Sequence, residues 1–508
     1  MEIKIIMLVL FFASMTVVGV YARKHSSSVD GFVLGGRKAG PWLTAFAYGT
    51  SYFSAVVFVG YAGQFGWKYG LSSTWIGIGN ALIGSLLAWV ILGRRTRVMS
   101  QHLKTRTMPE FFEKRYGNKG LKLAASAIVF CFLIPYTASI YNGLSRLFGM
   151  AFHIPYTYCV VAMAVFTGVY VILGGYMATA INDLIQGIIM LAGIVAVILA
   201  VLKGQGGFLE AVKQLSELSS DIPVTLGQKG AFASFFGPDP VNLAGVVVLT
   251  SLGTWGLPQM VGKFYAIKDE KSINTGTVIS TLFAVIVAGG CYFLGGFGRL
   301  FDGSEIRSKT GEVIFDSVIP HMLSSLPDVL IGIVVVLVLS ASMSTLASLV
   351  LTSSSTLTLD FLKESIWKEM SEKKQVLTMQ ICIVLFIGIS VVFALHPPAF
   401  IAQMMGISWG ALAGAFLAPF LYGLYWKRVT VQGVWAGFLS GVGFTVGNLF
   451  VPVIPSPINA GAFAMILGLV LVPAVSLLTK KPEKSQVDAI FSCYEETVVI
   501  TKKRSLEP

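Results

Sequence analysis

Apolar residues run in stretches of about twenty along most of this chain, separated by short polar segments. A hydrocarbon core roughly 30 Å thick asks for that length of α-helix. Thirteen such stretches can be laid out, at 3–21, 41–67, 71–93, 122–150, 154–173, 178–202, 241–264, 275–300, 328–360, 374–395, 399–424, 430–452 and 459–479. The pattern predicts an all-α polytopic membrane protein with about 13 transmembrane helices. No loop between the stretches is long enough for an independent soluble domain, so the activity belongs inside the membrane.

Polar residues inside spans are costly and point to function. The second span contains Tyr48-Gly49-Thr50-Ser51-Tyr52-Phe53-Ser54. Glycine weakens a helix there, Ser and Thr can satisfy backbone groups freed by a break, and exposed carbonyls suit a hard cation such as sodium. Close packing through small residues explains the same letters. The seventh span holds Gly253, Gly256 and Pro258 mid-span, which predicts a kink or break. Spans 2 and 7 stand five apart. Two interrupted helices in matching positions predict an inverted-repeat transporter, with spans 2–6 opposing spans 7–11. In the ninth span Ser340, Ser344 and Ala347 share one helical face, and Ala341, Thr345 and Ser348 another. Asp183 is the only acid in the sixth span. It reads either as a second cation site or proton carrier, or as a carboxylate favoured near a helix N-terminus.

Composition agrees with the periodicity: 55% of the 508 residues are hydrophobic and 12% charged. A soluble domain carries about a quarter charged residues, so a soluble enzyme, a disordered chain and a nucleic-acid-binding domain are excluded. The net charge of +12 fits basic cytoplasmic loops better than a nucleic-acid partner. Arg23, Lys24 and His25 follow the first span, which suits an uncleaved span entering from outside; Arg94, Arg95, Arg97, Lys104, Arg106, Lys114, Arg115, Lys119 and Lys122 follow the third. Lys480, Lys481 and Lys484 lie in the tail, whereas 203–240 is poor in Lys and Arg. The asymmetry predicts the plasma membrane with the N-terminus outside and the C-terminus inside. The expected organisation is an extra span and inside loop over 1–40, a first repeat over 41–203, an extracellular loop over 204–240, a second repeat over 241–426, two further spans over 427–479 and a cytoplasmic tail over 480–508.

At this point the chain resembles the sodium/solute symporter family, which includes sodium/proline, sodium/sugar and sodium/sialic acid symporters. The motifs are GPWLTAFAYGTSYFSA in span 2, YVILGGYMATAINDLIQG across spans 5 and 6, SASMSTLASL in span 9 and GLPQMVGKFYAIKDEKSI after the break in span 7. The sodium/proline type is closest, through GPWLTAF, TMPEFFEKRYG and the Tyr-Thr-Ala-Ser run beginning at Tyr136. The resemblance implies a five-plus-five inverted-repeat core. It implies one sodium held by the carbonyls of Thr50, Phe53 and Ala341 and the hydroxyls of Ser344 and Thr345. Asp183 matches an acid that, in some members, helps hold a second sodium with span-9 serines. Ser344 and Ser348 fit that pattern, but Ala347 replaces an expected hydroxyl, so a stoichiometry of one is expected.

The sodium/proline type has an acid at the position of Tyr52, and Trp and Tyr at those of Thr250 and Thr254. A strict proline transporter is therefore not expected. The expected solute pocket is Tyr52, Ser54, Phe58, Gln64, Tyr136, Thr250, Thr254 and Trp255, with breaks at Gly49, Gly253, Gly256 and Pro258. The expected function is sodium-coupled import of a small organic solute, an amino acid or small carboxylate, by alternating access. Sodium is the coupling ion and no enzymatic role is expected. The expected partners are the solute, sodium and the lipid bilayer, with no obligate protein partner. The alternatives are proton coupling through Asp183, or a channel or receptor on the same fold.

Overall fold

The computed structural model describes residues 2–22, 28–396 and 400–494; Arg23, Lys24 and His25 lie outside the described residues. Among the described residues ten helices are long and apolar enough to cross a membrane, or eleven if the bent pair Pro240–Trp255 and Pro258–Tyr265 is one span. The chain is all-helical, with only isolated β-bridges among the described residues.

The expected count of thirteen exceeds these because two pairs of windows run together. Val56–His102 is a 47-residue helical run and Tyr156–Gly204 a 49-residue one. Either would be roughly 70 Å long if straight, over twice a bilayer core. Each contains one glycine off the helix, Gly70 (φ 61, ψ −141) and Gly175 (φ 53, ψ −148). Gly175 is the second glycine of the YVILGGYM motif. Its positive φ disfavours any side chain, and a Cβ there would lie 2.8 Å from the Phe32 carbonyl oxygen.

The core sits around Asp328–Thr356 and Ile401–Tyr425. Their most apolar windows are 83% and 89% buried, against 22% for the peripheral Glu2–Ala22. Asp328–Thr356 packs against Lys119–Phe152, Tyr156–Gly204 and Pro41–Tyr52. Val431–Phe450 and Pro457–Leu478 pack on Ile401–Tyr425 from outside. Leu10, Val165, Leu199 and Val392 stay exposed, as side chains facing lipid must. A backbone clasp joins the starts and ends of the two interrupted segments: Ala39 N donates to Ala266 O at 3.2 Å and Lys268 N to Ala39 O at 3.0 Å.

Two helices cross at bare backbone where Ala62–Tyr69 meets Glu270–Gly295. A Cβ on Gly66 would collide with the Gly295 carbonyl, and one on Gly295 with that of Ala62. Small residues allow this approach in membranes, where close packing replaces the hydrophobic drive. Gly66→Ala is expected to lose about 1–3 kcal/mol by overpacking. Gly388→Ala, whose Cβ meets nothing within 4 Å, should melt like the parent. Thermal melts of the two purified variants in one detergent make the comparison.

Candidate functional site

The Pro41–Tyr52 helix starts with Pro41 in its first turn and stops at Phe53, whose backbone is extended (φ −109, ψ 99). Helical structure resumes at Val56. Ser54 caps the restart: its hydroxyl accepts from Val56 N at 3.2 Å, and its carbonyl accepts from Val57 N and Phe58 N at 2.9 and 3.0 Å. The interruption therefore falls at Phe53–Ser54, after the expected Gly49. Gly49 lies inside the helix, where a Cβ would reach 2.5 Å from the Phe283 ring, so its smallness serves packing. In span 7 the helix Pro240–Leu252 runs into a tight turn at Gly253–Trp255, passes Gly256, becomes extended at Leu257 and restarts with Pro258 as the first residue of Pro258–Tyr265. The two parts meet at 41°. Pro258 begins the new helix, where its missing N–H costs nothing.

Oxygen atoms collect beside the first break. The Thr345 hydroxyl lies 3.3 Å from the carbonyls of both Thr50 and Ser51, and 3.1 Å from that of Ala341. The Ser344 hydroxyl donates to Thr50 Oγ1 at 2.7 Å, and that hydroxyl donates to Phe46 O at 2.7 Å. Hydroxyl–oxygen hydrogen bonds centre near 2.7–2.8 Å, so the three Thr345 contacts are long. One hydroxyl hydrogen also cannot serve three acceptors. Crowded neutral oxygens at this spacing, fully buried, match the preference of a hard cation for oxygen. Of the five expected sodium ligands, Thr50, Ala341, Ser344 and Thr345 come together. Phe53 sits at the break, its ring stacked on Tyr52 at 4.3 Å.

A charged pair adjoins this cluster. Ser348 Oγ lies 2.8 Å from Ser51 Oγ and accepts from Lys263 Nζ at 2.9 Å. Lys263 Nζ is 3.7 Å from Asp183 Oδ2, with both side chains at most 4% exposed. It also stands 5.5 Å over the Tyr176 ring. The residue-type reading singled out Asp183 and Ser348 but missed Lys263. The signal was present: Lys263 is the sole charged residue in the 241–264 window, and an ionisable group at membrane depth defaults to a functional hypothesis.

The expected solute residues divide. Tyr52 donates its hydroxyl to Thr250 O, and its ring stacks 6.1 Å from Trp409. Tyr136 meets Trp409 edge-on at 5.9 Å. Thr254 and Trp255 donate to Gly84 O at 3.1 Å and Ile83 O at 3.0 Å, beside the Tyr52 hydroxyl, with which a Cβ on Gly84 would collide. Thr250 Oγ1 donates to Val246 O in its own helix at 2.9 Å. Ser54 is occupied as a cap. Phe58 and Gln64 continue outward along helices that pack on Glu270–Gly295 and Phe315–Ser324. Trp409, not foreseen, is the hub. The Tyr136 hydroxyl and the Trp409 indole N–H are buried and have no hydrogen-bond partner, an arrangement costing about 1–3 kcal/mol per group unless something binds there.

A cavity of about 50 Å³ reaches Lys263 and Ser348 from the side of the basic loop, lined also by Arg106, Thr107, Tyr176 and Thr352. At the opposite end Asp316, on Phe315–Ser324, accepts from Ile401 N at 3.3 Å with Arg146 at 4.0 Å. Burial pushes its carboxyl up to about 6, against the opposing pull of Arg146.

The profile of the sodium:solute symporter family matches residues 32–441. An osmoregulated proline transporter of Bacillus subtilis (strain 168) is 26% identical over 493 residues, covering 95% of this chain and 96% of that one. A sodium/pantothenate symporter of Haemophilus influenzae is 28% identical, covering 81% and 82%. A sodium/proline symporter of Staphylococcus aureus (strain JH9) is 28% identical, covering 86% and 84%. Among solved structures, a substrate-bound, outward-open sodium-coupled sialic acid symporter superposes with a TM-score of 0.77 at 16% identity, covering 95% of this chain and 98% of that one.

Proposed function

The chain belongs to the sodium:solute symporter family, and from that premise we propose that it imports a small carboxylate-bearing solute, an amino acid or a related acid, with one sodium ion per cycle. It is a membrane transporter and not an enzyme; sodium and a small solute are what it moves. Thr50, Phe53 and Ala341 would offer carbonyls to the ion, and Ser344 and Thr345 hydroxyls. The observation behind this is the buried oxygen cluster at the Phe53–Ser54 break. Because its oxygens come from both the interrupted helix and Asp328–Thr356, an ion there pins one against the other and shifts the population toward the state that holds both.

The solute class rests on the unpaired donors of Tyr136 and Trp409, which suit an acceptor such as a carboxylate. It also fits the names of two relatives, since proline and pantothenate each bear that group. Tyr136→Phe and Trp409→Phe are each expected to raise the solute KM about tenfold, about 1.4 kcal/mol, while leaving sodium-induced thermal stabilisation in place. Uptake kinetics in proteoliposomes, beside melts without solute, separate the two effects. Unchanged KM in both variants would place the solute elsewhere.

Thirteen crossings follow if the chain reverses at Gly70 and Gly175. That reading sets repeats 41–203 and 241–426 in opposite orientations, each opening with an interrupted helix. With the basic loops inside the plasma membrane, the N-terminus lies outside and the cavity reaching Lys263 and Ser348 is the inward release route. The membrane potential adds about 2.3 kcal/mol per charge per 100 mV to sodium entry. The deciding experiment loads proteoliposomes with either a sodium or a proton gradient and follows labelled proline, pantothenate and similar acids. Accumulation under sodium alone supports the proposal. Accumulation under a proton gradient in sodium-free buffer favours the alternative through Asp183, and flux that neither saturates nor accumulates favours a channel.

A further inference from the structure

Lys263 stands where a second cation would sit. Asp183, Ser344 and Ser348 are the groups expected to hold a second cation, and the lysine ammonium touches the Ser348 hydroxyl at 2.9 Å and approaches the Asp183 carboxylate to 3.7 Å. Neither Asp183 oxygen makes a hydrogen bond of good geometry; the Lys263 ammonium is its main compensation, with the Ser344 hydroxyl second. The Tyr176 ring at 5.5 Å presents a further cation-attracting face. Lys263 is delivered by Pro258–Tyr265, the helix that restarts after the span-7 break and packs against both Pro41–Tyr52 and Asp328–Thr356. The break thus aims its inner half, and its one charge, between the two elements that would otherwise share the ion.

We infer that the Lys263 ammonium is a tethered cation occupying the second cation position beside Asp183 and Ser348, which limits this transporter to one coupling sodium. The inference rests on the sodium-coupled reading above. Electrostatics gives the reason. The Lys–Asp pair is neutral as a unit whichever partner holds the proton. A sodium ion added to it would bring an uncompensated positive charge next to an ammonium in a buried site, whereas removing the ammonium leaves a carboxylate that needs a cation. Ser348 also bridges to Ser51, whose carbonyl faces Thr345, so the tethered charge borders the sodium cluster without entering it.

The test counts bound ions. Purified full-length protein is titrated with radiolabelled sodium in choline-balanced buffer at about pH 8.5, well above the ordinary carboxyl range. A parallel titration follows thermal stability. The wild type should bind one sodium with a Hill coefficient near one. Lys263→Met, with Asp183 intact, should bind two with a coefficient approaching two. Lys263→Met/Asp183→Asn and the charge-keeping Lys263→Arg should both return to one. Two sodium ions on the wild type, or one on Lys263→Met, would overturn the inference. A wild type that binds no sodium at all would instead sink the sodium-coupled reading, so the two failures are distinguishable. Recovery of folded Lys263→Met only in sodium buffer is an expected result. Failure to fold in either buffer, while the double variant folds, would show that sodium does not replace the lysine and would overturn the inference.

Discussion

Replacing both Ser344 and Thr345 by Ala should weaken sodium binding about 100-fold, the largest functional loss expected from any pair of substitutions in the chain. A hydrogen-bond-type contact to a charged group contributes about 1.5–3 kcal/mol, and each 1.4 kcal/mol is about tenfold in affinity. The hydroxyls stand on adjacent residues and reach Thr50 through different atoms, Ser344 through the Thr50 hydroxyl and Thr345 through the carbonyl. Losing one leaves the other in place, so the double variant is the clean experiment. Folding should survive, since both positions remain small and the helix keeps its own hydrogen bonds. The measurement is thermal stability in sodium, potassium and choline chloride at matched ionic strength. A sodium-specific rise in the parent should vanish in the variant, because a ligand that binds only the folded state raises stability by mass action. A rise that persists in the double alanine would remove these hydroxyls from the ion site.

The largest stability loss is expected for Asp183→Asn. It leaves the Lys263 ammonium buried without its counter-charge, and breaking a buried pair from one side costs about 3–5 kcal/mol. Replacing both members by neutral residues, as in Asp183→Asn/Lys263→Met, is often neutral or stabilising. Stability should therefore fall in the single variant and recover in the double. Chemical denaturation midpoints of the three proteins, arranged as a double-mutant cycle, measure the coupling. A single variant as stable as the parent would mean that the 3.7 Å approach has no energetic weight. The same Asp183→Asn protein tests the proton alternative: normal uptake across pH removes Asp183 as a proton carrier.

Several of these features were legible in the letters alone because they depend on local periodicity and composition. The apolar windows predicted the helices, and Gly and Pro in span 7 predicted its break. The spacing in SASMSTLASL set Ser344 next to Thr345, and Thr345 on one face with Ser348, before any neighbour was known. What went astray followed from the same locality. Gly49 looked like a helix breaker but is a contact for the Phe283 ring; a glycine signals little about which of its two uses applies until the neighbour is present.

The sequence by itself determined a helical membrane protein, the break in span 7 and the clustered hydroxyls of span 9, since each is a statement about one helix in a medium without water. Tertiary structure alone decided which groups meet: Thr345 with Thr50, almost three hundred positions apart; Trp409 between Tyr52 and Tyr136; and Lys263 against Asp183. Those pairings depend on the angle at which each broken helix resumes and on how closely bare backbone lets two helices approach. Both are properties of packing between segments, which no single segment encodes.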